Sequence, residues 1–337
     1  MYLFVQERGA YVSKHQGRLR VVKEKERLAE VPLLHLEQLL ISGGGVSISS
    51  DAIRACSVEG VPIHFLSSDG TPHSSLYSAG LTGTVLTRRA QLRAYDDGRG
   101  LHLARAVVES KLLNQANLLR YVGKYRKESD PPLFAQLSAI ATEVADSLHA
   151  LASLRGDVVD ELRDQIMGIE GRYAARYWGV LALLVPPELG WPGRQTQGAS
   201  DPFNQALNYG YGVLYKQVEH CLVLAGLDPY AGLLHADRPG KPSLVLDLIE
   251  EFRQAVVDRT LLGQVNRGWA ITRDADGRLD AETRERIVAR VIERLESSEP
   301  YAGKRQPLRH IMQAQARHIA TFVRGDRAAY EPFVMGW

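Results

Sequence analysis

Four side chains that could bind a divalent metal ion occur in two stretches of this 337-residue sequence. Glu170 lies in IEGRYAARYWGVLALLV, whose apolar spacing predicts a buried helix. Burial of an unpaired carboxylate is so unfavourable that it calls for a counter-charge, protonation or a metal ion. His235 lies in a loop, and Asp247 and Glu250 follow on one side of a helix that opens at Ser243. Because mixed carboxylate and imidazole ligation suits Mn²⁺ or Mg²⁺ better than a structural zinc site, these residues predict such an ion.

Each of these residues also has an ordinary structural interpretation, and spacing alone leaves both open. A single glutamate on a helix is usually solvated or ion-paired, a single histidine is more often structural, and DLIEE is commonly a polar helix face. The HExxH and Gly-x-Ser-x-Gly motifs are absent from the sequence. Pro242 interrupts the phosphate-loop pattern of Gly240, Lys241 and Ser243.

A third polar pattern follows the helix start Ser200-Asp201-Pro202, where serine or aspartate can cap and proline fits the first turn. Asn204, Asn208 and Tyr211 then recur on one face of that helix. Amides and a tyrosine hydroxyl at this spacing can order the outer shell of a metal-binding carboxylate or bind a sugar-phosphate backbone. Hydrogen bonding between the helices of a bundle core is an equally open interpretation.

The elements that must position these residues change in type along the chain. Up to about residue 80, short apolar runs alternate with turns, and one helix is expected at Ser50–Glu59. Beyond about residue 80, long stretches of sequence with a 3.6-residue hydrophobic period dominate. The sequence therefore predicts an α+β protein with a mostly-β N-terminal domain (1–80), a linker (81–86) and a larger all-α catalytic domain (87–337).

The composition, with 45% hydrophobic and 24% charged residues, is that of an ordinary soluble protein. The two cysteines are far apart, which argues against a disulfide framework or a zinc ribbon and fits a reducing cytoplasm. Glu7 and Arg8 interrupt the first apolar run, so no signal peptide is expected. The most apolar run ends at Pro186 and is too short to span a membrane.

Positive charge is concentrated in two stretches, although the formal net charge is only +2. Thr82–Lys127 has ten basic residues and three acidic ones, and Gly303–Arg324 has five basic residues and no acidic one. Such faces can neutralise DNA phosphates. A solvated helix face is equally compatible with the pattern.

Several segments together resemble the CRISPR-associated adaptation integrase family, metal-dependent DNA endonucleases that insert new spacers into CRISPR arrays. The resemblance rests on IEGRYAARYW, SDPFNQALNYGYGVLY and GLLHADRPGKPSLVLDLIEEFR, and extends through RRAQLRAYDD, KLLNQANLLR and HIMQAQARHIATFVRGDRAAYEPFVMGW. It implies that Glu170, His235 and Glu250 are the metal ligands, and that Asp247 is either a ligand or an outer-shell residue. It also implies that Arg253 faces a phosphate.

The resemblance further implies a reaction and an assembly. A DNA 3′-hydroxyl attacks a phosphodiester, Mg²⁺ or Mn²⁺ stabilises the developing charge, and water in place of the hydroxyl gives strand cleavage. The β-rich domain would form a homodimer, and a small companion adaptation protein would bridge two dimers on double-stranded DNA, the prespacer and the CRISPR repeat. The expected contacts to the DNA backbone are Arg88, Arg89, Lys111, Arg120, Lys304 and Arg309.

Two other functions stay open from the sequence. A structure-directed DNA repair nuclease would share the site and lack integration activity. A catalytically silent DNA-binding scaffold would bind no Mn²⁺ and would tolerate Glu170→Ala. Since a protonated imidazole has no lone pair for an ion, an activity that depends on metal binding by His235 is expected to fall at acid pH.

Overall fold

The computed structural model describes residues 1–78 and 85–336 of the chain. Its N-terminal part contains two four-stranded sheets. In chain order the strands are β1 (Tyr2–Val5), β2 (Tyr11–His15), β3 (Arg18–Lys23), β4 (Glu26–Pro32), β5 (Gln38–Ser42), β6 (Ser47–Ile48), β7 (Ile63–Leu66) and β8 (Pro72–Leu76). One sheet has the order β1-β5-β7-β8 and the other has the order β4-β3-β2-β6.

Helix α1 (Ser50–Glu59) lies in the crossover between the parallel strands β5 and β7. It begins after Ser49, whose hydroxyl accepts a hydrogen bond from the amide of Ala52 at 3.1 Å. It ends at Gly60, which has a φ of 71° that favours glycine. The helix predicted at Ser50–Glu59 is confirmed.

The C-terminal part is mainly helical. In chain order its helices are α2 (Val85–Tyr95), α3 (Gly98–Gly123), α4 (Pro131–Ser153), α5 (Val159–Leu181), α6 (Pro202–Leu224), α7 (Ser243–Ile249), α8 (Arg259–Val265), α9 (Ala281–Glu296) and α10 (Leu308–Val323). A π-helical segment, Gln254–Asp258, precedes α8. Within the described ranges, no helix is long and apolar enough to cross a membrane.

The predicted α+β class, strand-rich and then helical, is confirmed. One departure from an all-α C-terminal part is the antiparallel hairpin of β9 (Ser298–Tyr301) and β10 (Lys304–Pro307). Its turn residues Ala302 and Gly303 have φ of 48° and 76°, as a tight hairpin turn requires. Neither strand alternates apolar with polar residues, so the sequence pattern does not predict them.

The expected linker falls mostly on residues that the structure leaves undescribed. Positions 81–84 lie outside the described residues, and Val85 and Leu86 belong to the first turn of α2. The division into domains at 1–80 and 87–337 stays a prediction.

The strand-rich part packs directly against α6. A Cβ atom added at Gly212 would lie 1.8 Å from the carbonyl oxygen of Gly70, so the turn between β7 and β8 rests on the helix backbone. In the same interface Ser42 Oγ and Tyr209 Oη are hydrogen-bonded at 2.8 Å. Leu40 joins the buried apolar core of the helical part. These contacts fix α6, which contributes residues to the candidate site.

Candidate active site

Three charged side chains from three helical segments meet inside the C-terminal part. Glu170 on α5 and Glu250, directly after α7, both contact the ammonium group of Lys111 on α3. The Lys111 Nζ to Glu250 Oε2 distance is 2.8 Å. The exposed fractions of the side chains are 15% for Lys111, 13% for Glu170 and 7% for Glu250. The largely buried carboxylate of Glu170 therefore has a counter-charge, which is the ammonium of Lys111.

A second cation, Arg253, approaches the other carboxylate oxygen of Glu250. Arg253 Nε lies 3.1 Å from Glu250 Oε1. Its guanidinium is 4.7 Å from the ring centre of Tyr211, and the guanidinium of Arg194 is 5.3 Å from the same ring. Cations over a tyrosine face are attracted by its negative π surface. Tyr211 thus contacts two arginines, of which Arg253 also pairs with Glu250.

Electrostatic interactions keep Glu250 and Lys111 ionised. Burial would raise the pKa of Glu250, but the charges of Arg253 and Lys111 lower it to about 2. Burial also opposes charge on Lys111, yet Glu250 and Glu170 raise its pKa above the usual value. Because folding depresses the pKa of Glu250, its contribution to stability is present above about pH 4.5 and is lost as the pH falls toward 2. At neutral pH Glu250 is therefore a carboxylate.

Asp247 holds the loop that carries His235. Its carboxylate accepts hydrogen bonds from the backbone amides of Leu233, Leu234 and His235, at 2.7, 3.2 and 3.0 Å. His235 Nδ1 lies 2.7 Å from Asp247 Oδ1. Because a carboxylate accepts hydrogen bonds, the neutral ring carries its hydrogen on Nδ1 and keeps the lone pair of Nε2 for a ligand. In this structure Asp247 orients the imidazole and does not contact Lys111.

The donor types fit a divalent ion, although a lysine holds the carboxylates together here. The described residues include no group of three or more histidine, cysteine, aspartate or glutamate side chains that is arranged to hold a metal ion. Glu250 Oε2 is buried, and the group that it contacts in this structure is the Lys111 ammonium at 2.8 Å. Two carboxylates and the Nε2 lone pair of His235 form a set that Mg²⁺ or Mn²⁺ accepts. Binding would require the ammonium of Lys111 to withdraw.

Asn204 and Asn208 on α6 hold the segment before that helix. Asn204 Oδ1 accepts from Arg194 Nη1 at 3.1 Å and from the Gln195 amide at 3.0 Å. Asn208 Oδ1 accepts from Arg194 Nη2 at 2.7 Å. The two amides therefore position Arg194, whose guanidinium lies over the ring of Tyr211. Sequence reasoning missed Arg194 because it stands in WPGRQTQGAS, an irregular segment without periodicity.

Asp258 is a second buried carboxylate that sequence reasoning did not single out. It accepts hydrogen bonds from the hydroxyls of Tyr177, at 2.8 Å, and of Tyr211. Burial raises its pKa to about 6, against the opposing effect of these hydrogen bonds. A raised carboxyl pKa means that this group's contribution to stability declines as the pH rises from about 3.8 to about 6. Asp258 fixes the ring of Tyr211 on which Arg253 rests.

The residues expected to contact DNA lie in different environments. Arg88 and Arg89 on α2 and Lys304 on β10 are exposed. Arg309 pairs with Glu37 and Glu296, at 2.8 and 3.0 Å. Arg120 donates to Asn117 at 3.0 Å, and Lys111 is the buried cation of the site. The structure thus brings Glu170, Glu250, Lys111 and Arg253 together. His235 is joined to Asp247 and, among the described residues, to no carboxylate of this cluster. The other cations lie outside the cluster.

Comparisons with known proteins agree on one family. The family model described as CRISPR associated protein Cas1 matches residues 3–293. A CRISPR-associated endonuclease Cas1 of Archaeoglobus fulgidus is 37% identical and covers 100% of both chains. One from Francisella tularensis subsp. novicida is 32% identical over 100% of this chain and 99% of the relative.

Solved structures show the same fold at low sequence identity. A casposase bound to integration product has a TM-score of 0.84 at 21% identity, covering 98% of this chain and 93% of the other. A CAS1 protein from Thermotoga maritima has a TM-score of 0.76 at 20% identity, covering 98% and 97%. A Cas6-RT-Cas1–Cas2 complex has a TM-score of 0.75 at 20% identity, covering 99% of this chain and 36% of that one.

Proposed function

The chain belongs to the Cas1 family of CRISPR-associated proteins, and on this premise we propose that it is a metal-dependent DNA integrase and endonuclease of CRISPR adaptation. The observation that carries the proposal is the meeting of Glu170 and Glu250 around one buried cation. Phosphoryl transfer builds negative charge on the reacting phosphate, and a site that holds cations through carboxylates can stabilise that charge. The endonuclease activity in the names of the relatives agrees with this chemistry.

The proposed reaction exchanges one phosphodiester for another. The 3′-hydroxyl of the incoming DNA attacks a phosphate of the repeat, a new P–O bond forms, and the bond to the departing 3′-oxygen breaks. The attacking hydroxyl loses its proton and the departing oxygen gains one, so no oxidant or energy source is needed. When water attacks instead, the same exchange cleaves the strand.

The chain's own residues have separate tasks in this proposal. Glu170, Glu250 and His235 would hold Mg²⁺ or Mn²⁺, which when bound supplies a Lewis acid beside the reacting phosphate. Asp247 keeps the His235 ring in the tautomer whose Nε2 can bind an ion. Arg253, held by Tyr211 next to Glu250, provides a fixed positive charge for a phosphate oxygen.

A joining assay tests this function. The purified protein, with Mn²⁺, is incubated with a labelled short duplex and a supercoiled plasmid that carries a CRISPR repeat. We expect label to become covalently attached to the plasmid at the repeat. Nicks without attached label would instead favour a structure-directed repair nuclease, and intact plasmid together with no Mn²⁺ binding by calorimetry would favour a silent DNA-binding scaffold.

The proposed partners are double-stranded DNA, a second copy of the chain, and a small companion protein that bridges two dimers. The strand-rich part offers an apolar surface for the second copy, since Leu34 and Val58 are 82% and 76% exposed. Large apolar side chains clustered on a surface commonly mark an interface. The similar fold within a Cas1–Cas2 complex supports the companion partner.

Removal of three exposed cations should weaken the binding of duplex DNA. We expect the triple variant Arg88→Gln, Arg89→Gln, Lys304→Gln to bind duplex DNA about tenfold more weakly, with a salt slope reduced by about one unit per lost contact. Fluorescence anisotropy over a series of salt concentrations measures both quantities.

A matched control for this experiment removes equal charge elsewhere. The triple variant Lys25→Gln, Arg27→Gln, Arg155→Gln also loses three exposed cations and should keep the wild-type slope. An unchanged slope in the first variant, or an equal loss in both, would contradict the assigned DNA-binding surface.

A further inference from the structure

The side-chain amide of Gln115 is buried on α3 without a hydrogen-bond partner. The residue is 0% exposed, and neither its Nε2 nor its Oε1 has a partner among the described residues. Because a buried donor or acceptor without a partner costs free energy, native interiors rarely contain one. An apolar side chain of the same size would fit this position better in the protein as it stands. The glutamine therefore needs a reason outside the packing of α3.

Gln115 differs in this respect from a buried glutamine of the usual kind. Gln91 on α2 donates to the carbonyl oxygens of Asp228 and Ala231, at 2.9 and 2.8 Å, and accepts from the amide of Asp228 at 2.9 Å. In the described part of the chain, the other buried glutamine with an unpaired amide atom is Gln254, through its Oε1. Unpaired amides are thus a feature of two particular places in the helical part.

Both places belong to elements that form the charged cluster. Gln115 follows Lys111 by four residues on α3, so their Cβ atoms are about 5–6 Å apart on one face of the helix. Gln254 follows Glu250 by four residues and begins the π-helical segment, which packs against α3. Single π-helical turns are frequent at functional sites. Each unpaired amide therefore lies one turn beyond a member of the pair formed by Lys111 and Glu250.

A change of cation between the carboxylates would provide a partner for the amide of Gln115. In this structure the Lys111 ammonium contacts both Glu170 and Glu250. A divalent ion in place of the ammonium takes some of the carboxylate lone pairs, and the remaining lone pairs lose the N–H donors of the lysine. Carboxylates that bind a metal ion are commonly hydrogen-bonded by a neighbouring donor. The N–H groups of Gln115, one turn away on α3, are such donors.

Resting on the proposed function, we propose that Gln115 is a positioning residue of the metal site. Its Nε2 donates a hydrogen bond to the carboxylate of Glu170 or Glu250 once an ion has replaced the ammonium of Lys111. The amide has no partner in the metal-free protein and gains one in the metal-bound protein. Gln115 therefore shifts the competition between Lys111 and the ion toward the ion.

The variant Gln115→Met, which keeps the length of the side chain and removes the amide, tests this inference. We expect its dissociation constant for Mn²⁺, measured by calorimetry, to be about 10–100-fold higher than that of the wild type. In EDTA, its urea midpoint should equal or exceed that of the wild type, because the substitution breaks no hydrogen bond of the metal-free protein. Gln115→Leu should repeat both results with an apolar side chain of different shape.

Gln38→Met is the matched control. Gln38 is a buried glutamine on β5, in the strand-rich part, and its Oε1 accepts a hydrogen bond from Gln217 Nε2. Because this substitution breaks an existing hydrogen bond, it should lower the urea midpoint in EDTA. Its dissociation constant for Mn²⁺ should stay within about twofold of the wild-type value, since the two sites share no partner.

The outcomes separate this inference from the proposed function. If both Gln115 variants had lower urea midpoints in EDTA and bound Mn²⁺ like the wild type, the residue would be structural and the inference overturned, with the integrase intact. Unchanged Mn²⁺ binding with an unchanged midpoint would overturn it as well. If the wild type joined no DNA although the Gln115 variants bound Mn²⁺ more weakly, only the proposed function would be overturned.

Discussion

Replacing Glu250 by glutamine should reduce both strand joining and cleavage by about a thousandfold, which corresponds to about 4 kcal/mol of transition-state stabilisation. The substitution keeps the size of the side chain but removes the charge that Lys111 and Arg253 now neutralise. A neutral amide is a poor ligand for Mg²⁺ or Mn²⁺ in a site built from carboxylates. The loss should therefore appear in metal binding as well as in rate.

Two measurements check the Glu250→Gln prediction. The first is the rate of joining in the plasmid assay, and the second is Mn²⁺ binding by calorimetry, which does not depend on activity. Glu143→Gln is the matched control, because Glu143 is an exposed carboxylate on α4 that pairs with Arg176 at 2.7 Å. The control should keep activity within about twofold. Normal Mn²⁺ binding by Glu250→Gln would remove this residue from the ligand set.

Replacing Lys111 by methionine should destabilise the metal-free protein by about 3–5 kcal/mol, because two buried carboxylates lose a shared counter-charge. Methionine keeps most of the apolar length of the side chain, so the effect reports mainly on charge. A divalent ion bound by Glu170 and Glu250 would replace the missing ammonium. Mn²⁺ should therefore raise the unfolding free energy of Lys111→Met by more than that of the wild type, whose lysine competes with the ion.

Urea unfolding in EDTA and in Mn²⁺ measures this difference. Lys216→Met provides the control, since Lys216 is another buried lysine, 4% exposed, that pairs with Glu219 at 2.8 Å away from the candidate site. The control should be destabilised equally with and without Mn²⁺. If Mn²⁺ stabilised Lys111→Met no more than the wild type, the idea that lysine and metal occupy the same carboxylates would be wrong.

Local signals in the sequence were sufficient for the fold class and for individual helices. Ser49 and Gly60 bound α1 because a hydroxyl cap and a glycine at positive φ act within a few residues. Asp201 and Pro202 begin α6 for the same reason, with the Asp201 carboxylate accepting from the Asn204 amide at 2.8 Å. The hairpin β9–β10 was not predicted, because its strands do not alternate apolar with polar residues and are joined by a two-residue turn.

The sequence by itself determined which residue types reach the helical interior, and its family blocks pointed to Glu170, His235 and Glu250. Only the tertiary structure decided what these residues contact. Lys111 belongs to a basic stretch, yet packing of α3 against α5 and α7 places its ammonium between the two carboxylates. Asp247 has the spacing of a ligand, but the fold of the 232–235 loop engages its oxygens with backbone amides. Periodicity states which face of a helix is buried, whereas the partner of a buried charge depends on which other helix covers that face.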